Sequence, residues 1–351
     1  MSDKTTIIDV AKAAKVSPST VSNLLNGRDE RMRPETKDRI LATIAELGYQ
    51  PNQVARQLKT GHSPIIGLIV PSVATPFYGL FARHIEESAL KRGYQVLFGN
   101  SGRDPKRERS YAGELWGYGV RGIIFGSSLI NFSHLHDLIQ RGLHVVAFDR
   151  PTQQSDQFII DSISVDNARA ARIATKHLIA LGHTDIAFLS GPIRTVSRLD
   201  RLEGYRSALI DAGIEPNPDY VWDQTTESGF GDAEAVEIAR QSSQELLSLS
   251  KPPTAIFAVN DLYAFGAYAG ARDLGLHIPQ DVSIVGFDDI ALTEVVQPPL
   301  TTIRQPMREI AHAAVERLIG RLEDSYEEPE GHIVVPPKLI VRASTAEKAT
   351  S

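Results

Sequence analysis

Between Ser17 and Asn26 the chain reads SPSTVSNLLN, and short hydroxyl and amide side chains crowd this stretch. Uncharged donors and acceptors of this kind suit two targets in duplex DNA, phosphate oxygens and base edges in the major groove. They can do so only if an element holds them on one exposed face. Ile8, Val10, Ala11 and Ala14 recur at helical spacing, and the chain turns at Lys15-Val16. Ser17 then offers a hydroxyl N-cap, and Pro18 fits the first helical position, where its missing N–H is no loss. Val21, Leu24 and Leu25 recur on one face until Asn26-Gly27 ends the helix. Two short helices joined by a tight turn predict a helix-turn-helix, whose second helix enters the major groove. Pro18, Ser19 and Asn23 then face base edges, and Thr20 and Ser22 face phosphates. A third helix over Pro34 to Leu47, with Ile40, Leu41, Ile44 and Leu47 inward and Gly48 as C-cap, closes a three-helix core. Taken alone, the segment also fits a helical hairpin inside a larger core.

The stretch beyond the third helix discriminates between these. After Tyr49-Gln50-Pro51, Asn52 can cap a two-turn helix, QVARQLK, in which Val54, Ala55 and Leu58 form an apolar face while Arg56 and Lys59 point elsewhere. A helix this short is marginal alone in water, so it orders only when something docks against it. A small-molecule binding protein whose head had some other duty would have no use for such a break.

The charge distribution agrees with a nucleic-acid-facing head. Residues 1–62 hold 10 of the 37 Lys/Arg and 7 of the 43 Asp/Glu, net +3, which leaves −9 on the remainder of a chain of formal net charge −6. A basic head on an acidic body is expected where only the head meets phosphate. The absence of cysteine rules out disulfides, thiolate metal sites and a cysteine nucleophile. With 351 residues and 42% hydrophobic content, two or three folded units have cores. No apolar run approaches the length of a membrane helix, and Met1 to Thr6 is polar, so a cytoplasmic protein without membrane association is expected.

Other patterns are weaker. GYGVRG (117–122) matches a dinucleotide fingerprint in letters but precedes a strand, which makes it a turn. His134 and His136 lie two apart with no third ligand nearby, so both read as surface histidines. No phosphate loop, nucleophile elbow or His-Glu-x-x-His helix occurs. No catalytic residue, metal or cofactor is expected. Arg28, Arg31 and Arg33 read equally as phosphate contacts or as a solvated loop balanced by Asp29 and Glu30.

From Ser63 onward, apolar runs such as IIGLIV, GIIFGSS, HVVAFD, IAFLSG, AIFAVN and VSIVGFD alternate with helical stretches. The helices fall near Phe77–Arg92, Pro105–Gly117, Leu135–Arg141, Asn167–Leu181, Arg201–Ala212, Gly231–Leu249 and Asp261–Leu274. The alternation predicts α/β architecture with parallel sheets, and its repetition predicts two lobes around a cleft, with ligand beyond the carboxyl ends of the strands.

The segments DVAKAAKVSPSTVSNLLNG, LGYQPNQVARQLKTG, VDNARAARIATKHLIALGH, DVSIVGFDD and PLTTIRQP, in this order, closely resemble the LacI/GalR family of bacterial transcriptional repressors. The resemblance spans nearly the whole chain. It implies a helix-turn-helix head (1–50), a hinge helix and linker (51–62) and a two-lobed, periplasmic-binding-protein-like body of doubly wound parallel sheets (63–351). Lobe one would take in about 63–162 and 294–322, and lobe two about 163–293 and 323–343. Helix Met307–Leu322 would return to the first lobe, and IVVPPKLIVR would finish the second.

The resemblance further implies a homodimer on a palindromic operator in double-stranded DNA, with paired hinge helices in the minor groove and Leu58 wedged between base pairs. The DNA-facing set then adds Thr6, Ser17, Asn26, Tyr49, Asn52, Val54, Ala55 and Lys59. For a small-molecule effector, a sugar or related metabolite, it implies contacts from Phe77, Tyr78, Asp149, Asp166, Ser197, Arg201, Asn260 and Asp288. Asp166 and Asn260 read equally as helix caps. Some positions depart from the pattern. Pro18 and Asn23 differ from several relatives, so the operator bases do not transfer. Arg33 stands where the family often has a capping Ser. Gln224 stands where relatives often place a stacking aromatic, with Trp222 two residues before it. After Arg342 there is no leucine-heptad tail of the kind that tetramerises one relative, which leaves a dimer as the expectation.

Overall fold

A computed structural model describes residues 5–25, 29, 32–49, 64–224, 234–325 and 329–348. The chain divides into two compact units, Met1–Ser63 and Pro64–Ser351. The two-turn helix expected at 52–59, with Asn52, Val54, Ala55, Leu58 and Lys59, lies outside the described residues, as do Asn26, Arg28 and Arg31.

In the first unit, α1 (Ile7–Ala13), α2 (Pro18–Leu25) and α3 (Pro34–Glu46) enclose Val10, Ala11, Ala14, Val21, Leu24 and Ile40. Thr6 opens α1 with a capping box, its amide donating to Asp9 Oδ2 (2.8 Å). That start places Ile7, not Ile8, at i, i+3, i+4 and i+7 with Val10, Ala11 and Ala14, so Ile8 is 64% exposed. The turn falls at Lys15, which takes a left-handed φ of +53°, and Ser17 Oγ accepts from the Thr20 amide (3.1 Å). On α3 the inward positions are Ile40, Thr43 and Ile44. Leu41 and Leu47, expected inside, are exposed: Leu41 falls off the face that Ile40, Thr43 and Ile44 define, and Leu47 is the C-cap beyond the helix. Arg33 caps α3 without a side-chain hydrogen bond.

The second unit carries two six-stranded sheets. The first has the order β11-β5-β4-β3-β1-β2, with β1 Ile65–Val70, β2 Gln95–Asn100, β3 Gly122–Phe125, β4 His144–Phe148, β5 Asp161–Val165 and β11 His332–Val335, all parallel. The second is β12-β10-β9-β8-β6-β7, with β6 Ile186–Leu189, β7 Val221–Trp222, β8 Ala255–Ala258, β9 Ser283–Asp288, β10 Thr301–Arg304 and β12 Lys338–Ile340. Only β12 runs antiparallel among these pairings. The inner strands β1, β3, β6 and β8 are almost wholly apolar and buried, as parallel strands covered on both faces must be, while the outer strands β2, β11 and β12 are partly exposed.

Helices α4 (Pro76–Lys91), α5 (Pro105–Gly117), α6 (His136–Gln140) and α11 (Met307–Leu322) belong with the first sheet, and α11 packs on α4, β3, β4 and β5. Helices α7 (Asn167–Ala180), α8 (Val196–Asp211), α9 (Ala235–Leu247) and α10 (Asp261–Asp273) belong with the second. Two glycines let these helices touch: a Cβ on Gly204 would lie 2.1 Å from the Ala168 carbonyl oxygen, and one on Gly266 would lie 2.4 Å from that of Val236.

The chain crosses between lobes three times, after β5, after β10 and after β11. The boundary expected at 162/163 therefore cuts through β5, the one expected at 294 precedes the crossing at 304–307, and IVVPPKLIVR is shared, β11 joining the first sheet and β12 the second. Helix α8 starts at Val196, five residues before the expected Arg201, because the Thr195 hydroxyl accepts from the Arg198 amide. The GYGVRG segment is a turn: α5 ends at Gly117, Gly119 has φ +83°, and β3 begins at Gly122. Neither His134 nor His136 is a fully exposed surface residue. His134 Nε2 pairs with the buried Glu108 carboxylate at 2.8 Å, and His136 meets the Phe158 ring edge-on.

Candidate functional site

The carboxyl ends of both sheets face a cleft, open to solvent at its mouth. At its centre Asp149, just past β4, sits in the left-handed region with φ +61°, a conformation that costs a non-glycine residue energy and concentrates at functional sites. Asn167, opening α7, donates from Nδ2 to Asp149 Oδ1 (2.6 Å). Arg201, from the second turn of α8, donates from Nε to Asn167 Oδ1 (2.8 Å) and from Nη1 to the Val259 carbonyl (2.7 Å). Its Nη2 lies 3.4 Å from Asp149 Oδ2, and its guanidinium stacks 3.6 Å from the Phe287 ring centroid. All three polar residues are buried. The network spans both lobes, Asp149 from one and Asn167 and Arg201 from the other.

A second set of contacts joins the lobes at the rim. The Val196 amide donates to the Ser128 carbonyl (2.9 Å), and Leu129 forms an isolated antiparallel bridge with Thr195. The 128–130 segment is held from behind by Arg150, which donates to the Leu129 and Ile130 carbonyls (2.6 and 2.8 Å) and makes a bidentate pair with buried Asp156. Arg150 thereby positions the hydroxyls of Ser127 and Ser128 at the cleft wall without lining it.

Carboxylates near the cleft are perturbed to different degrees. Asp261, fully buried at the start of α10, accepts from Thr302 Oγ1 (2.6 Å) and the Ile290 amide (2.9 Å). Burial, with the Asp288 carboxylate adding, pushes its carboxyl well above the usual range. Asp200 on α8 is raised to about 6 by burial and then by Asp149, Arg201 opposing. Asp288 itself, with φ +121°, accepts from Gln305 Nε2 (2.8 Å).

Of the effector-facing residues expected from the sequence, Phe77, Tyr78, Asp149, Ser197, Arg201, Asn260 and Asp288 come together on this one cleft. Asp166 and Gln224 do not; both are exposed. Asp166 caps α7 by accepting from the Arg169 amide (2.8 Å). Asn260 also caps its helix, accepting from the Tyr263 amide (3.0 Å), yet lines the cleft because α10 starts at the carboxyl end of β8. Thr75, Arg103, Ser127, Ser128, Thr195 and Arg198 also line it, and none of them was expected from the sequence. Arg103 and Ser127 follow β2 and β3 directly, so the strand-end rule applied to those two strands would have found them.

In the head, Ser17, Pro18, Ser19 and Asn23 are exposed or partly so, and Thr20 and Ser22 are half-buried. Ser17 Oγ lies 2.6 Å from Ser19 Oγ and 2.8 Å from Thr20 Oγ1, so these hydroxyls form one polar ridge on the first turn of α2. No acidic side chain stands in that turn. Thr6 is exposed but donates to Asp9 (2.6 Å), and Tyr49 packs on the head core. Among the described residues no His/Asp/Glu cluster could hold a metal, and no helix is long and apolar enough to cross a membrane.

Comparison with known proteins agrees with both units. The model for bacterial regulatory proteins of the lacI family matches residues 6–52, and that for a periplasmic binding protein-like domain matches 175–345. The HTH-type transcriptional regulator DegA of Bacillus subtilis (strain 168) is 36% identical over 343 residues, 98% of each chain. The lac repressor dimer bound to operator and the anti-inducer ONPF superposes with a TM-score of 0.83 at 28% identity, covering 98% of this chain and 100% of that one. A complex of the transcriptional regulator CelR with cellobiose gives 0.71 at 29% identity, over 97% and 99%. The match is end to end and carries both units in order, and the chain therefore belongs to the lacI family of bacterial regulatory proteins.

Proposed function

We propose that the protein is a dimeric transcriptional repressor whose affinity for a palindromic operator is set by a small polyhydroxylated metabolite bound between the lobes. The observation that carries this reading is the buried Asp149–Asn167–Arg201 network, which joins the two lobes at the base of a polar cleft in a chain that also carries a DNA-reading head. Carboxylates, an amide and a guanidinium fork match the vicinal hydroxyls of a sugar, and the Phe77 and Tyr78 rings offer faces to its carbon skeleton.

Ligand that favours one arrangement of the lobes shifts their equilibrium, and linkage requires that operator affinity shift with it. The hinge at 51–62 would transmit the change, with Leu58 as the wedge. Dimerisation would use the free edge of the first sheet. Strand β2 is one of its two outer strands, and Leu97 and Phe98 on it are 39% and 47% exposed. An apolar sheet edge left open to water is a pairing surface. The relatives, named as transcriptional regulators and repressors, favour this reading over a binding protein without an operator role.

Selection of duplexes from a random pool by the full-length protein tests it. Enrichment of a palindrome centred on a flexible step is expected, with affinity that changes when a ligand found by thermal shift is added. Recovery of DNA without sequence preference at physiological salt would reject the operator role.

A further inference from the structure

We propose that Asn23 reads an adenine in each half-site of the operator, its side-chain amide pairing with the major-groove edge of that one base. The inference rests on the operator-binding reading and deepens it, naming a base and the group that reads it.

Helix α2, PSTVSNLL, carries no charged side chain along its length. Two common base pairings are therefore closed to it: a guanidinium or ammonium on guanine O6 and N7, and a carboxylate accepting from cytosine N4. Val21 and Leu24 are buried in the head, Thr20, Ser22 and Leu25 are partly covered, and Pro18, Ser19 and Asn23 face solvent. Pro18 brings neither donor nor acceptor on its side chain. Ser17 Oγ lies against three groups, the Thr20 amide at 3.1 Å, Ser19 Oγ at 2.6 Å and Thr20 Oγ1 at 2.8 Å, which fill its one hydrogen and two lone pairs. Ser19 thus has its hydroxyl engaged within the helix, and a hydroxyl serves donor and acceptor edges alike.

Asn23 differs on each count. It stands one turn after Ser19 on the same face of the helix and is exposed. Its side chain makes no hydrogen bond to any described residue, so its amide can meet a base without breaking a contact inside the head. That amide sets an acceptor and a donor side by side in one plane. Adenine shows the complement, N7 accepting and N6 donating, and both bonds form together. Guanine shows two acceptors and leaves the amide oxygen unmet, and thymine, with one acceptor beside a methyl, does the same. Cytosine shows a donor alone and leaves the amide nitrogen unmet. A polar group left unpaired in a closed interface carries its desolvation cost, and the wrong base is rejected by that cost.

The test selects duplexes from a random pool with the full-length protein and with full-length Asn23→Ala, the variant checked for the parent's unfolding temperature, and then measures both proteins on the selected duplex by fluorescence anisotropy. Expected for the parent is an invariant adenine at one position of each half-site, and for Asn23→Ala the loss of preference at that position alone. Guanine in place of that adenine should weaken the parent's binding roughly fivefold to 150-fold per half-site, the value of a bidentate base contact, and that of Asn23→Ala by less than about twofold. 7-Deazaadenine, which lacks only the N7 acceptor, should weaken the parent too and leave the variant unaffected. An adenine preference that survives Asn23→Ala, half-sites whose invariant pairs are all G·C, or 7-deazaadenine bound by the parent as tightly as adenine overturns the inference and leaves the operator reading standing. Weakening of Asn23→Ala by one common factor on every duplex, as loss of a phosphate contact gives, overturns it in the same way. Recovery of duplexes with no common sequence removes the operator reading itself and the inference with it.

Discussion

Replacing Arg201 by Met should both abolish effector binding and destabilise the body. The Arg201–Asp149 pair is separated by 3.4 Å with side chains 7% and 8% exposed. At an effective dielectric of about 20 the attraction across that gap is about 5 kcal/mol, most of it offset by the desolvation of two charges. Removing the guanidinium leaves that desolvation uncompensated at Asp149, which keeps only the Asn167 amide and a left-handed backbone. The Val259 carbonyl and Asn167 Oδ1 each lose a donor. The expected loss is about 3–5 kcal/mol, on the order of 10 °C in unfolding temperature for a body of this size. Calorimetry at fixed protein concentration reads it, since dimerisation links stability to concentration. Asp149→Asn alone should also destabilise, but the Asp149→Asn/Arg201→Met pair buries no charge and should be more stable than the sum of its parts by about 2 kcal/mol. A single Arg201→Met variant within about 1 kcal/mol of the parent, or strict additivity in the pair, would refute the claim that this network is a buried charge pair holding the lobes.

Other predictions concern separate parts of the chain. Leu58→Ala should weaken operator binding more than about tenfold by fluorescence anisotropy while leaving effector affinity unchanged; equal operator affinity would sink the wedge. Gly204→Ala should destabilise the body by at least about 2 kcal/mol in urea, because its Cβ meets a backbone carbonyl that cannot rotate away; a neutral outcome would mean α7 and α8 are not packed this closely. Burial and Asp149 raise Asp200 to about 6, above its ordinary 3.8, so its contribution to stability is present below the ordinary value and lost as pH rises through about 6. Asp200→Asn should therefore stabilise the protein more at about pH 7.5 than at about pH 5, and an equal increment at both would show that this carboxyl is not perturbed. Phe98→Glu should shift the sedimentation profile from dimer toward monomer at micromolar concentration; an unchanged dimer would move the interface off β2.

Much of the fold was legible because local signals coincide with element ends. Pro105 and Gly117 bracket α5, which lies where spacing places it, and α11 spans Met307–Leu322, the range that the family resemblance implied. Sheet membership was not legible. Nothing in a strand's own residues says which sheet it will join: the resemblance assigned IVVPPKLIVR to lobe two, yet His332–Val335 pairs with Asp161–Val165 in the first sheet. Helical phase misled in the head, where Ile7 and Ile8 are equally apolar and only the Thr6 cap decides which one turns inward. In the cleft, Asp149 and Arg201 came from the family resemblance, whereas Arg103 would have come only from applying the strand-end rule to β2 as well. Asp166 was ambiguous for a physical reason: a carboxylate that opens a helix after a strand serves equally as a cap and as a cleft residue, and here it is the cap.

The three crossings between lobes also bear on how the protein comes into being on the ribosome. Neither sheet is a contiguous stretch of chain: the first lacks its edge strand until residues 332–335 have been made, and the second lacks its own until 338–340. A nascent chain that already displays α1 to α3 can reach DNA long before either lobe is closed, and pairings of such long sequence separation form slowly. The effector-sensing half therefore matures last, and any chain stopped short of Ile340 would carry a reader of DNA with no finished sensor to govern it.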